Sequence, residues 1–227
     1  MMKFFDLDGV IIDSIKECYE VSKQVFFNNR KFYHNPRDYK RLFFHNRGLV
    51  RPAGEYMVLH QTIEEFLNSS TGDFESLFQK KLKSSSKKDL DSFEKDFFIK
   101  RLEFQNSDME LWLELNPLTS LGKLLSVKKI SDISIITTKN QSASEVLLSH
   151  YGIHVDEIFS NNQIKSFGTK GRLISYILDK REIDKALFLD DSAEHLDTVD
   201  DKRVDCFFAD WGYGKNTNFK VFDMDFL

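Results

Sequence analysis

The sequence predicts an α/β protein in which a parallel sheet, with helices between its strands, is interrupted after the first strand by an all-helical segment. Apolar, strand-like runs lie near residues 3–7, 133–137, 186–190 and 204–208, and helical patterns separate the later ones. Strands that alternate with helices favour right-handed crossovers and a parallel sheet whose ligands bind at the carboxyl ends of the strands. Between Ser14 and about Asn116 there is no comparable alternation, only long helical patterns punctuated by two prolines and a glycine.

The composition is that of a globular protein with a sizeable core. The 227 residues are 41% hydrophobic and 30% charged, and the formal net charge of −4 gives no general attraction to nucleic acid. With two cysteines, Cys18 and Cys206, the sequence predicts no disulfide framework and favours a reducing cytoplasm. No segment is long enough to span a membrane, and the first strand begins too early for a cleavable signal.

The first strand ends at two carboxylates, Asp6 and Asp8, which are followed by Gly9. Residues two apart in an extended chain project to the same face, roughly 6.5 Å apart along the strand, and can serve one divalent cation or one substrate. Glycine permits a sharp turn immediately after the acids. This pattern predicts a catalytic loop at a strand end.

A second strand end carries hydroxyl groups. The apolar run that begins at Ile133 closes with Thr137 and Thr138, ahead of a helix that is expected to begin near Gln141. A threonine at such a place, together with the amide groups of a turn and a helix start, makes an oxyanion-binding corner.

A third strand end carries adjacent acids, Asp190 and Asp191, after an apolar run. If they lay near Asp6 and Asp8, the four carboxylates would repel one another unless a cation occupied the centre. Their arrangement therefore favours a Mg²⁺ site with oxygen ligands.

The segment Asp6-Leu-Asp-Gly-Val-Ile-Ile-Asp-Ser resembles the opening motif, DxDGxxxDS, of the haloacid dehalogenase-like phosphohydrolases. The strand that closes in threonine resembles the second motif of that family, and the Trp-Gly-Tyr-Gly stretch near the carboxyl end resembles its phosphoglycolate phosphatase and β-phosphoglucomutase-like branch. The resemblance implies a three-layer, Rossmann-like core made of residues 1–14 and 112–227. It also implies a helical cap at residues 15–111 that opens and closes over the site and sets substrate specificity.

The resemblance further implies a Mg²⁺-dependent phosphatase that acts on a small phosphorylated metabolite through an aspartyl-phosphate, as a monomer or homodimer. Asp6 would be the nucleophile and Asp8 the general acid and then base. The Thr-x-Lys spacing makes Thr137 the better match to the phosphate-binding threonine, with Thr138 as the alternative. The implied metal ligands are Asp6, Asp8, Asp190 and Asp191.

Two lysines compete for the phosphate-binding position of the third motif. Lys170 stands at the start of an amphipathic helical pattern, where the family usually places its lysine, and is the favoured residue. Gly171 follows it in place of the usual proline, and Lys165 is the reserve candidate. In the cap segment, Arg47 and Arg51 are candidates for substrate specificity because guanidinium groups bind carboxylates and phosphates well.

Other functions use similar residues. A phosphorelay receiver domain would place its paired acids near the first strand, whereas here the pair comes last. A dehalogenase of the same family lacks the second aspartate, so Asp8 favours a phosphate substrate. A phosphomutase and a catalytically idle binding protein remain alternatives, the second opposed by the complete set of acids.

Overall fold

A computed structural model describes residues 1–28, 30–69 and 72–227. Over these residues the chain divides into two compact units: a core unit formed by Met1–Ser14 with Asn116–Leu227, and a helical unit formed by Ile15–Leu115. The sequence predicts the second boundary after residue 111, but that position falls inside the helix Met109–Glu114, whose buried Trp112 donates to Glu17 of the helical unit. Across the described ranges, no helix is both long enough and apolar enough to cross a membrane.

The predicted all-helical segment is confirmed. Its helices are α1 (Ile15–Phe27), α2 (Pro36–Asn46), α3 (Tyr56–Ser69), α4 (Phe74–Ser84), α5 (Lys87–Ser107) and α6 (Met109–Glu114), with short 3-10 turns at Arg47–Leu49 and Ala53–Glu55. Residues that commonly begin helices explain where several of these helices start. Pro36 is the first residue of α2 after the capping Asn35, and Asp73 and Ser86 cap α4 and α5.

Aromatic side chains fill the core of the helical unit. Tyr39, Phe43 and Tyr56 are buried there, and the rings of Phe43 and Tyr56 stack with centroids 5.7 Å apart. A fully buried histidine, His60, lies among them. Its Nε2 is 2.9 Å from Oγ of Ser22, and its Nδ1 is 2.8 Å from the hydroxyl of Tyr39. Both ring nitrogens are thus satisfied inside an apolar cluster.

The core unit is built on a parallel sheet. Its strands are β1 (Met2–Phe5), β2 (Ile133–Ile136), β3 (Glu157–Phe159), β4 (Ala186–Asp190), β5 (Val204–Phe208) and β6 (Lys220–Val221). Over the described residues these six strands have the order β3-β2-β1-β4-β5-β6, with every neighbouring pair parallel. The four predicted strands and their parallel arrangement are confirmed, whereas the short strands β3 and β6 are not predicted from the sequence.

Helices connect these strands: α7 (Ser120–Val127), α8 (Gln141–His150), α9 (Asn161–Phe167), α10 (Lys170–Lys180) and α11 (Ala193–Leu196). Side chains of α9, α10 and α11 pack with Phe4 and Phe188 on one face of the sheet. On the other face, the ring of Phe222 packs against Phe5 and Phe207. The central strands β1, β2 and β4 are mostly apolar and buried because both faces of the sheet are covered. Since β2, β1 and β4 are adjacent, their carboxyl ends bring the three predicted groups of polar residues to one edge.

Candidate active site

The loop after β1 starts at Asp6, beside the end of β4. The backbone N–H of Asp6 donates to the carbonyl of Leu189 at 2.9 Å, and the side chain of Asp6 is buried. Gly9 has φ +83°, and a Cβ at this position would lie 2.4 Å from Oδ2 of Asp191. Glycine is therefore required here by the backbone conformation and by the close approach of an acid.

Lys170 joins the first acid to the acid pair. Its Nζ lies 2.9 Å from Oδ1 of Asp6 and 2.7 Å from Oδ2 of Asp190. Lys170 is buried at the first turn of α10, where the side chain of Thr169 caps the helix by accepting from the N–H of Arg172. The structure thus places the favoured lysine between the ends of β1 and β4.

The pKa values of Asp6, Asp190 and Lys170 are shifted in different directions by their surroundings. Burial raises the pKa of Asp6 to about 6, against the opposing effect of Lys170. Burial also acts to raise the pKa of Asp190, but Lys170 and His195 outweigh it and hold that pKa well below its usual range. Burial acts to lower the pKa of Lys170, and the carboxylates of Asp190 and Asp6 outweigh it, so this pKa is raised. Lys170 is therefore a cation paired with an ionised Asp190, and a further positive charge beside Asp6 would lower the raised pKa of that carboxyl.

Asp190 is held by several donors. Besides Lys170, the backbone N–H of Ser192 donates to its Oδ1 at 2.8 Å, and Nδ1 of His195 lies 3.1 Å from its Oδ2. His195 lies on α11, and its contact with Asp190 is not predicted from the sequence. Ser192 caps α11 by accepting from the N–H of His195. Both oxygens of Asp190 thus have donors, and its carboxylate anchors Lys170 and His195 while it stays one of the predicted metal ligands.

Thr137 and Lys139 lie at the end of β2. Thr137 is buried, and its Oγ1 accepts from the N–H of Lys139 at 3.1 Å, whereas Thr138 is half-buried. Nζ of Lys139 lies 2.9 Å from Oδ1 and 3.1 Å from Oδ2 of Asp8. No role for Lys139 is predicted from the sequence, although the Thr-x-Lys spacing is the signal that could have indicated one.

Asp191 is enclosed by the loop that follows β5. Its Oδ2 accepts from the N–H of Tyr213 at 2.6 Å. A Cβ at Gly212 would lie 2.2 Å from Cβ of Asp191, and one at Gly214 would lie 1.9 Å from its carbonyl oxygen. In the same loop, the indole N–H of Trp211 donates to the carbonyl of Val10 at 3.0 Å. The Trp-Gly-Tyr-Gly stretch therefore packs the loop after β5 against the acid pair and the loop after β1.

The donor atoms and the charge of the site fit a divalent cation. Among the described residues, carboxylate oxygens of Asp6 and Asp190 and a ring nitrogen of His195 lie within 4.8 Å of one another. The four predicted carboxylates and the two lysines that contact them have a formal charge of −2 when all are ionised. Carboxylate oxygens are the ligands that Mg²⁺ prefers. A divalent cation would balance this charge and favour the ionised form of Asp6.

The two candidate lysines have different surroundings. Lys165 is exposed on α9, whereas Lys170 is buried against two acids. Gly171, which replaces the usual proline, donates its N–H to Oγ1 of Thr198 at 3.0 Å, and a Cβ there would lie 2.0 Å from the carbonyl oxygen of Thr198. The departure from Lys-Pro therefore has a local packing reason.

The two predicted specificity residues belong to the helical unit. Arg47 is buried, donates to the carbonyl of Val50 at 3.0 Å, and lies over the ring of Tyr56. The guanidinium group of Arg51 donates to the carbonyl of Gly48. Both side chains thus have contacts inside their own unit, and their role in substrate binding stays a prediction.

No protein-family model matches the chain, and no curated protein sequence matches it either. Solved structures do resemble it. A predicted phosphoglycolate phosphatase from Haemophilus somnus has a TM-score of 0.63 and 13% sequence identity, over 95% of this chain and 88% of that one. A predicted phosphatase from Clostridium acetobutylicum has a TM-score of 0.59 and 16% identity, over 99% and 94%. A hydrolase of the haloacid dehalogenase-like family from Streptococcus pneumoniae has a TM-score of 0.54 and 17% identity, over 94% and 86%.

These similarities extend over nearly the whole chain at low identity, so they concern the fold. The parallel sheet, its connecting helices and the additional helical unit agree with the architecture that the motifs predict. The resemblance found in the sequence is confirmed at this level, and the chain has the haloacid dehalogenase-like fold.

Proposed function

We propose that this chain is a Mg²⁺-dependent phosphatase that hydrolyses a small phosphorylated metabolite through an aspartyl-phosphate intermediate. The observation that carries the proposal is the buried Lys170, whose Nζ lies 2.9 Å from Asp6 and 2.7 Å from Asp190. A carboxylate that attacks an anionic phosphoryl group needs positive charge close to the reacting atoms. The descriptions of the structural relatives as phosphatases and hydrolases support the same class of reaction.

In the proposed reaction, a carboxylate oxygen of Asp6 attacks the phosphorus atom, and the bond from phosphorus to the leaving oxygen breaks. Asp8 gives its proton to the leaving oxygen. It then takes a proton from the water that attacks the aspartyl-phosphate, which releases inorganic phosphate and restores Asp6. Lys170 and the hydroxyl of Thr137 bind oxygens of the phosphoryl group, with Thr138 as the alternative hydroxyl at the same strand end.

The predicted metal site fits this chemistry. By the resemblance, Asp6, Asp190 and Asp191 would hold Mg²⁺ with their carboxylates and Asp8 with its backbone carbonyl. The carboxylate of Asp190 also contacts Lys170 and His195. When bound, Mg²⁺ neutralises charge on the phosphoryl oxygens. A bound divalent cation would also favour the ionised, nucleophilic form of Asp6, whose pKa burial raises to about 6.

The test is phosphate release from a panel of phosphorylated sugars, nucleotides and two- and three-carbon acids, the last chosen because one structural relative is described as a phosphoglycolate phosphatase. Each assay is run with Mg²⁺ and with EDTA. We expect Asp6→Asn to lower the rate by at least about 10³-fold, because it removes the nucleophile. The matched control is Asp184→Asn, which changes an exposed aspartate of the core unit and should keep full activity.

Circular dichroism would show that both variants are folded. Full activity of Asp6→Asn would refute the proposed mechanism. Little net phosphate release, together with dependence on a bisphosphate, would identify a phosphomutase instead. Silence of the wild-type protein over the whole panel would favour the catalytically idle alternative.

A further inference from the structure

Lys139 is a buried cation whose role the proposed mechanism leaves open. Its side chain is 0% exposed, and its ammonium group contacts both carboxylate oxygens of Asp8, at 2.9 Å and 3.1 Å. A buried ammonium group is costly unless it is paired, so this pair is a built feature of the site. The side chain of Asp8 is 14% exposed, which leaves the carboxylate within reach of a substrate.

The backbone of Lys139 is fixed on both sides. Its N–H donates to Oγ1 of Thr137 at 3.1 Å, and its carbonyl accepts from the N–H of Asn161 at 3.3 Å. Helix α8 begins two residues later, at Gln141. Lys139 therefore ties Asp8 to the same strand end that supplies the predicted phosphate-binding hydroxyl.

The two buried lysines of the site serve different acids. Lys170 contacts Asp6 and Asp190, whereas Lys139 contacts Asp8. A single ammonium group that touches both oxygens limits rotation of the Asp8 carboxylate about its last side-chain bond. A group that transfers protons must be held at a defined place relative to the reacting oxygen.

We propose that Lys139 is a positioning residue, which holds the Asp8 carboxylate in the orientation from which it exchanges protons with the leaving oxygen and then with water. This inference rests on the proposed phosphatase function. It adds no covalent step: the proton passes between Asp8 and the leaving oxygen or water, and Lys139 acts through its contact with the Asp8 carboxylate.

The test compares two substrates in a double-mutant cycle of Lys139→Met and Asp8→Asn. An alkyl phosphate needs a proton on its leaving oxygen, whereas 4-nitrophenyl phosphate has a good leaving group and needs little help. The value of kcat/KM reports the steps up to release of the leaving group. We expect Lys139→Met to lower it about 10²-fold for the alkyl phosphate, at the low end of the range for general acid–base catalysis, and less than about threefold for the aryl phosphate.

In the Asp8→Asn background, Lys139→Met should cause less than about a threefold further loss, because residues that act as a unit are not additive. Lys139→Arg, which keeps the charge, should restore part of the rate. If Lys139→Met does not fold, Lys139→Arg alone displaces the donor atoms and should show a smaller loss with the same preference for the alkyl substrate. The matched control is Lys202→Met, which changes an exposed lysine of the core unit.

Equal losses with both substrates, or losses that multiply in the double variant, would overturn the positioning role and indicate a direct contact with the phosphoryl group or a general structural effect. A wild-type protein without Asp6-dependent hydrolysis of either substrate would instead refute the proposed function, and the positioning role with it. The two failures are thus distinguished in one set of assays.

Discussion

Protonation of the buried His60 should make the stability of the helical unit depend on pH. Its Nε2 is 2.9 Å from Oγ of Ser22, whose hydroxyl donates to the carbonyl of Cys18, so the proton of the neutral ring lies on Nε2. Nδ1 then accepts from the hydroxyl of Tyr39 at 2.8 Å. A second proton on the ring would turn Nδ1 from an acceptor into a donor, and the hydrogen bond from Tyr39 would be lost. The charged ring would also lie stacked on the apolar ring of Phe26.

Burial, assisted by Lys23, lowers the pKa of His60 from 6.5 to about 3. Because the folded-state pKa lies below the unfolded one, the unfolded chain binds more protons between these values, and stability falls as the pH falls through this range. Each pKa unit corresponds to about 1.4 kcal/mol. His60 should therefore remove about 2 kcal/mol of unfolding free energy between pH 7.5 and pH 5.

The assay is urea unfolding at these two pH values, followed by tryptophan fluorescence. The chain has two tryptophans, Trp112 in the helical unit and Trp211 in the core unit, so a Trp211→Phe background leaves a reporter of the helical unit alone. His60→Gln should be less stable at pH 7.5 but should lose about 2 kcal/mol less on acidification. The control His45→Gln changes an exposed histidine of the same unit. Equal losses in the wild type and in His60→Gln would refute the reasoning.

Two further predictions concern buried ion pairs. Lys170→Met should lower the rate of phosphate release at least about 10²-fold, whereas Lys165→Met, which changes an exposed lysine, should leave the rate within about twofold. Equal effects of the two variants in the same assay would refute the assignment of Lys170 as the phosphate-binding lysine. In the helical unit, Arg101 donates to both oxygens of the buried Glu17, at 2.7 Å and 3.0 Å. Glu17→Gln should cost about 3–5 kcal/mol of unfolding free energy by urea titration, because it removes the charge that contacts the buried Arg101 guanidinium. The exposed Glu110→Gln should cost almost nothing.

The strand ends that carry the site could be predicted from the sequence because each combines two strong local signals. An apolar run followed by acids or hydroxyls marks the ends of β1, β2 and β4. The parallel order of these strands then brings the ends together. The strands β3 and β6 lack such signals, since they are short and lie at the edges of the sheet, where few side chains are buried.

Contacts between side chains from different elements could not be predicted in the same way. Lys139 and Asp8 are far apart in sequence, and their pairing depends on the register of β1 against β2. His195 reaches Asp190 because α11 starts immediately after the acid pair and directs its first turn back over it. Both contacts follow from the fold. The Thr-x-Lys spacing could have marked Lys139 as a candidate, but it does not identify Asp8 as its partner, and no local pattern marks His195.

The glycine at position 171, where the family motif has proline, is explained by the packing around it. A proline at position 171 would lose the hydrogen bond to Thr198 and would place a Cβ 2.0 Å from the carbonyl oxygen of that residue. The close approach of Thr198 follows from the turn after α11, where its hydroxyl also donates to the carbonyl of His195 at 2.7 Å. Glycine at 171 therefore lets α10 approach the turn that holds His195 against Asp190, and Lys170 then reaches the same carboxylate from the other element. The missing proline and the unexpected histidine belong to one arrangement, in which two elements share Asp190 as their common anchor.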